Sequence, residues 1–113
     1  MALKIQKTYS EEEQLWVLVL EGEVDLHTAG NLKKTVTDML EEKTGSIRVI
    51  GDGLEYIDST GLSVFIGAIK KLQKENHHII VTNIKPSIKK LLNITGLDKI
   101  ITVENESSIQ TRR

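Results

Sequence analysis

Short apolar runs alternate with amphipathic helical stretches along this chain, and that alternation leaves few folds open to it. Leu3 to Tyr9 alternates as a short strand, and Ser10 to Glu13 reads as a charged turn. Leu15 to Leu20 is a continuous apolar run, which predicts a strand buried on both faces. Leu32, Val36, Met39 and Leu40 recur at helical spacing, so a helix is expected from near Thr28 to a stop at Gly45. Ile47 to Ile50 is the next strand, broken by Gly51, Asp52 and Gly53. Leu62, Phe65, Ile66, Ile69 and Leu72 form the apolar face of a second helix. His78 to Thr82 is a fourth strand, and Pro86 suits the first turn of a third helix that Gly96 ends. Ile100 to Val103 is a last short strand or extended segment. Strands separated by single helices require parallel crossovers, so the fold class is α/β, a sheet with helices packed on it.

The chain has 113 residues and no internal repeat, which predicts one domain over residues 1–113 with a polar tail at 104–113 that frays. The absence of cysteine excludes a disulfide framework, thiol chemistry and Cys-ligated zinc. The alternating N-terminus is not a signal peptide, and no apolar run approaches the roughly 20 residues that cross a bilayer. The net charge of −1 gives no reason to expect nucleic acid or an anionic membrane as a partner. These features suit a cytoplasmic protein. Charge is uneven: residues 1–58 carry 6 Lys/Arg against 12 Asp/Glu, and residues 59–113 carry 9 against 4. Either the halves interleave and the asymmetry averages out, or one face is biased toward a charged partner.

The stretch most loaded with chemistry is Tyr56-Ile57-Asp58-Ser59-Thr60-Gly61-Leu62, where a strand turns into a helix. A helix start carries unpaired N–H groups and partial positive charge. Ser59 is therefore a helix cap, a nucleophile or a phosphorylation switch, with Asp58 as the other candidate cap. As a phosphoserine it would present three acceptor oxygens to the N–H groups of Thr60, Gly61 or Leu62. Gly61, with no Cβ, would let another protein approach the backbone. The enzyme reading is weak. The chain has no phosphate-binding or dinucleotide-binding glycine loop and no nucleophile elbow. Asp25, His27 and Ser59 could compose a hydrolytic triad, but no oxyanion site is evident beyond the helix N-terminus. The adjacent His77 and His78 point in divergent directions, so no metal site is expected.

Three ordered blocks carry a family resemblance: Gly22-Glu23-Val24-Asp25-Leu26-His27-Thr28-Ala29, the Tyr56 to Leu62 stretch, and Leu91-Leu92-Asn93-Ile94-Thr95-Gly96-Leu97. On these blocks the chain resembles the STAS-domain anti-sigma-factor antagonists of bacterial partner-switching modules, over roughly residues 3–104. The resemblance implies a mixed four- to five-stranded sheet with helices packed mainly on one side. It implies a regulator rather than an enzyme. The unphosphorylated protein would bind an anti-sigma factor with serine kinase activity and free the sigma factor. Phosphorylation of Ser59 would weaken that binding, and a serine phosphatase would reverse it. Asp25, Asp58, Ser59, Thr60, Gly61 and Ser63 would form the partner-binding surface. No cofactor is implied, because ATP belongs to the kinase, and a monomer is expected. Stress-response and sporulation branches share the blocks. Ser63 stands where the family often has glycine, and the glycines at 51 and 53 would leave the acceptor loop more mobile. A different class of reading, a sensory or scaffold module that binds a small ligand or assembles into a larger complex, also uses this domain type.

Overall fold

A computed structural model describes residues 2–105. The strands are β1 (Leu3–Ser10), β2 (Leu15–Val24), β3 (Ser46–Ile57), β4 (Ile79–Thr82) and β5 (Ile101–Glu104). The helices are α1 (Ala29–Glu42), α2 (Ser59–Gln73) and α3 (Pro86–Thr95), with a short 3-10 turn at Leu97–Lys99. The strands lie in sequence order across a single sheet. β1 pairs antiparallel with β2 through a tight turn closed by Gln14 N–H on the Ser10 carbonyl, 2.7 Å. Every later pair is parallel. Each helix is thus a crossover between neighbouring parallel strands, always stepping the same way across the sheet. Crossovers of one hand then set all three helices on one face.

Burial along the strands agrees. Trp16, Leu18 and Leu20 of β2 are buried, whereas Val17 and Val19 between them are only half-buried. Ile47 and Val49 alternate in the same way with Arg48 and Ile50. The expectation of a strand buried on both faces is therefore corrected. The apolar run is continuous because β-branched residues suit a pleated surface, not because two layers cover it. On the helix-free face Arg48 bridges Glu13 at 3.4 Å and Glu104 at 3.0 Å. Glu104 is thus a paired strand residue rather than the start of a frayed tail, and the rest of that predicted tail, 106–113, lies outside the described residues.

The helices meet the sheet through Leu32, Val36 and Met39 of α1, Phe65, Ile69 and Leu72 of α2, and Ile88 and Leu92 of α3. Leu18, Leu20, Leu32, Met39 and Ile47 are fully enclosed, and truncating one such side chain to alanine typically costs about 2–5 kcal/mol. Trp16 Nε1 donates to the Lys43 carbonyl at 2.8 Å and fixes where α1 returns to the sheet. That helix ends in extended backbone at Lys43, so Gly45 is not its left-handed cap. Gly96, at φ 79°, does end α3 as expected.

β3 departs most from expectation. It does not break at Gly51, Asp52 and Gly53 but continues to Ile57, only two residues before Ser59. Its register against β2 slips twice, as Val19 pairs Ile50 while Glu21 pairs Gly53, and Gly22 pairs Leu54 while Glu23 pairs Tyr56. Each slip inserts one extra residue into β3, the signature of a β-bulge. A Cβ at position 51 would lie 2.5 Å from Ile84 Cγ2, which accounts for glycine in the first bulge. The Ser59 loop is held by a bulged strand rather than left free by a broken one.

Candidate functional site

The carboxyl ends of β2 and β3 lie side by side, joined by Asp58 N–H donating to the Val24 carbonyl at 3.1 Å. That bond, continuing the β2–β3 pairing past Val24 and Ile57, sets the Asp25 and Ser59 segments at the same edge of the sheet. In parallel α/β sheets this edge is where sites are built, because loops there leave rigid strands and open helices. His77 and His78 stand at the amino end of β4.

The cap of α2 is Asp58. Its Oδ1 accepts from Thr60 N–H at 2.9 Å and Gly61 N–H at 3.1 Å, while its carbonyl accepts from Leu62 N–H at 2.9 Å. All three amides expected to meet a phosphate on Ser59 are therefore engaged by Asp58 in the unmodified protein. Ser59 is the first residue of the helix, exposed, with its hydroxyl uninvolved in capping. Its carbonyl accepts from Ser63 Oγ at 2.9 Å, so Ser63 turns back along the helix from an exposed position. Thr60 is half-buried.

Gly61 is buried. A Cβ there would meet Val24 Cγ1 at 2.5 Å and Ile57 Cγ1 at 2.7 Å. The glycine exists to let α2 close onto the ends of β2 and β3, not to open its backbone to a visitor. Its place on an outer docking surface is accordingly corrected.

The Asp25 segment is tied just as closely. Asp25 Oδ1 accepts from His27 N–H at 2.9 Å and Thr28 N–H at 3.1 Å. Thr28, buried at 6% exposure, accepts from Asp25 N–H at 2.9 Å, and its hydroxyl proton goes to the Glu23 carbonyl at 2.8 Å or to Asp25 Oδ1 at 3.3 Å. Asp25 thus orders its own loop. Among the described residues no hydrogen bond joins the His27 ring to Asp25 or Ser59, so no triad is assembled. Desolvation alone would push the Asp25 carboxyl up, but the His27 and Thr28 hydrogen bonds and the His27 charge outweigh it and hold it below the ordinary aspartate value. A depressed carboxylate stabilises the fold at neutral pH and loses that contribution as pH falls through the folded value. Asp25→Asn keeps the acceptor oxygen but not the charge. In thermal melts it should be less stable than wild type at neutral pH, the gap closing below the ordinary aspartate range.

Two large apolar side chains that the sequence did not single out flank these loops. Leu26 is 72% exposed beside Asp25, and Tyr56 is 49% exposed two residues before Asp58. Beside Tyr56 a pocket of about 420 Å³ runs between the start of α2 and α3, floored by Leu62, Ile88 and Leu91. Leu26 was findable, since an apolar residue between Asp25 and His27 in a loop serves no periodic core. Tyr56 was hidden by the second bulge, which shifts it off the alternation that buries Leu54. The edge therefore combines an exposed hydroxyl, ordered carboxylates and exposed apolar groups, a composition suited to protein contact.

A family model for the STAS domain matches residues 6–109. The chain belongs to the STAS domain family. This STAS domain is 28% identical over 110 residues to the anti-sigma-B factor antagonist of Staphylococcus aureus (strain NCTC 8325 / PS 47), covering 97% of this chain and 100% of that protein. Its fold is shared with an anti-sigma factor antagonist from Mycobacterium paratuberculosis, at TM-score 0.77 and 20% identity, covering 91% and 86% of the two chains. It is shared also with SpoIIAA in two forms. The unphosphorylated form matches at TM-score 0.67 and 21% identity over 80% of this chain and 82% of that one. The phosphorylated form, a Bacillus cell fate determinant, matches at TM-score 0.69 and 21% identity over 99% and 100%. The mixed five-stranded sheet with its three helices is the STAS fold that the three sequence blocks implied.

Proposed function

We propose that this STAS domain is an anti-sigma factor antagonist whose partner binding is set by the state of Ser59. With Ser59 unmodified it binds an anti-sigma factor that is also a serine kinase, and the sigma factor is released. Transfer of a phosphoryl group to Ser59 Oγ ends the binding, and a serine phosphatase restores it. The observation that carries this reading is the division of labour at the start of α2. Asp58 does the capping, which leaves the Ser59 hydroxyl exposed at a fixed point of a rigid edge. Leu26, Tyr56 and the pocket beside Tyr56 supply the apolar contact area, and the Asp25 loop fixes one rim. Support comes too from the Staphylococcus aureus relative, named an anti-sigma-B factor antagonist, and from SpoIIAA, seen with and without phosphorylation.

The deciding experiment is a phosphosite map of the protein purified from its native cells, with the proteins that co-purify. Phosphate on Ser59, removed by a serine phosphatase, together with a co-purifying kinase, is the expected result. An unmodified Ser59 under every growth condition, with sigma-factor control in the cells unchanged by Ser59→Ala, would overturn the reading.

A further inference from the structure

α1 and α2 run parallel from the Ser59 edge, and between them lies an open groove of about 440 Å³. Its walls span residues 29–40 on one helix and 60–71 on the other, about 16 Å or three turns at 1.5 Å per residue. Val36, Leu40 and Val64 give it an apolar lining, and Lys33 and Lys71 stand on its opposite rims. Neither lysine makes a salt bridge among the described residues. At one end the groove reaches Thr60, the residue after Ser59, and Ser63, one turn from it.

Gly67 sits in the groove at the middle of α2, where glycine costs about 1 kcal/mol relative to alanine. Unlike Gly61, nothing inside the chain requires it, because a Cβ at Gly67 would meet no atom within 4 Å. Two helices side by side present the trough into which a third helix packs, and small residues allow its backbone close. Two unpaired cations on the rims select the charge of what lies between them.

We infer that the groove between α1 and α2 seats a helix of the anti-sigma factor that carries Asp or Glu side chains toward Lys33 and Lys71, continuing the Ser59 contact along the helix pair. This rests on the function proposed above. It also places a phosphate on Ser59 at the mouth of a groove that holds an acidic partner, where like charges meet.

The test is titration calorimetry of the full chain against its anti-sigma factor, with Ser59→Asp as a control for the switch itself. A Cβ at Gly67 meets nothing outside its own helix and the rest of a leucine side chain would occupy the groove, so Gly67→Leu should melt no lower than wild type and lose about tenfold or more in affinity. The double variant Lys33→Glu with Lys71→Glu should lose a similar factor and flatten the salt dependence of binding. Wild-type affinity in Gly67→Leu, while Ser59→Asp still weakens the complex, would overturn the groove and leave the Ser59 reading standing. Wild-type affinity in Gly67→Leu, in Ser59→Asp and in the protein phosphorylated on Ser59 would overturn both. Loss of a concentration-dependent dimer in Gly67→Leu, with kinase binding intact, would assign the groove to a second copy of this chain and overturn the partner helix.

Discussion

Ser59→Asp is expected to weaken the complex with the anti-sigma factor by about tenfold, and phosphorylation of Ser59 by about a hundredfold or more, roughly 1.4 and 2.7 kcal/mol. A phosphate brings about −1.5 to −2 charges where the aspartate brings one. The amides nearest that charge are already taken in the unmodified protein. Thr60 and Gly61 N–H already donate to Asp58 Oδ1, and Leu62 N–H donates to the Asp58 carbonyl. The new anion must remain in water beside the Asp58 carboxylate, and docking would strip that water without replacing its hydrogen bonds. Ser59→Ala should bind as wild type and melt at the wild-type temperature, because the cap does not depend on the hydroxyl. Calorimetry on the wild type, the two variants and the phosphorylated protein checks all of this. Equal affinity across the four would remove Ser59 as the switch. A markedly lower melting temperature in Ser59→Ala would return it to the role of a structural hydroxyl.

The sequence revealed the elements because the period changes cleanly along the chain, from apolar runs of strand length to the 3.6-residue spacing of Leu32, Val36 and Met39. It revealed the candidate edge because short polar residues cluster where a strand becomes a helix. It did not reveal which residue capped α2, since Asp58 and Ser59 are both good caps and only backbone geometry chooses between them. It misread β3 for a different reason. Gly51 and Gly53 have two uses, to stop a strand or to fit a bulge, and the choice depends on Ile84 and Glu21, which lie across the sheet. Tyr56 was lost with the second bulge, between Leu54 and Tyr56, since one inserted residue turns every later side chain to the other face. Gly61 was assigned to the outside because its internal partners, Val24 and Ile57, lie on the ends of two strands that the sequence does not show to be adjacent. The errors at β3, Tyr56 and Gly61 concern contacts between distant segments, whereas those at Gly45 and in the apolar run of β2 come from local signals that admit two uses.

Gly61→Ala should destabilise the domain by about 1–3 kcal/mol, as overpacking of a close-fitting site does. Gly67→Ala, six residues on in the same helix, should stabilise it by up to about 1 kcal/mol. The opposite signs follow from surroundings alone. The added methyl at position 61 lands 2.5 Å from Val24 Cγ1 and 2.7 Å from Ile57 Cγ1, and at position 67 it lands in open space. Val24 and Ile57 are β-branched and have few rotamers with which to yield. They are also the last residues of β2 and β3, so relief moves the backbone that carries Asp25 and Asp58. The cost should therefore reach function, lowering the rate of Ser59 phosphorylation even where the protein is still folded. Denaturant melts of the two variants test the sign. A Val24→Ala change in the Gly61→Ala background tests the cause, since room made at Val24 should make the pair less destabilised than the sum of the singles. If Gly61→Ala proves as stable as Gly67→Ala, the close packing of α2 on the two strand ends is not what requires glycine there. Additive losses in the double variant would place the strain on Ile57 alone.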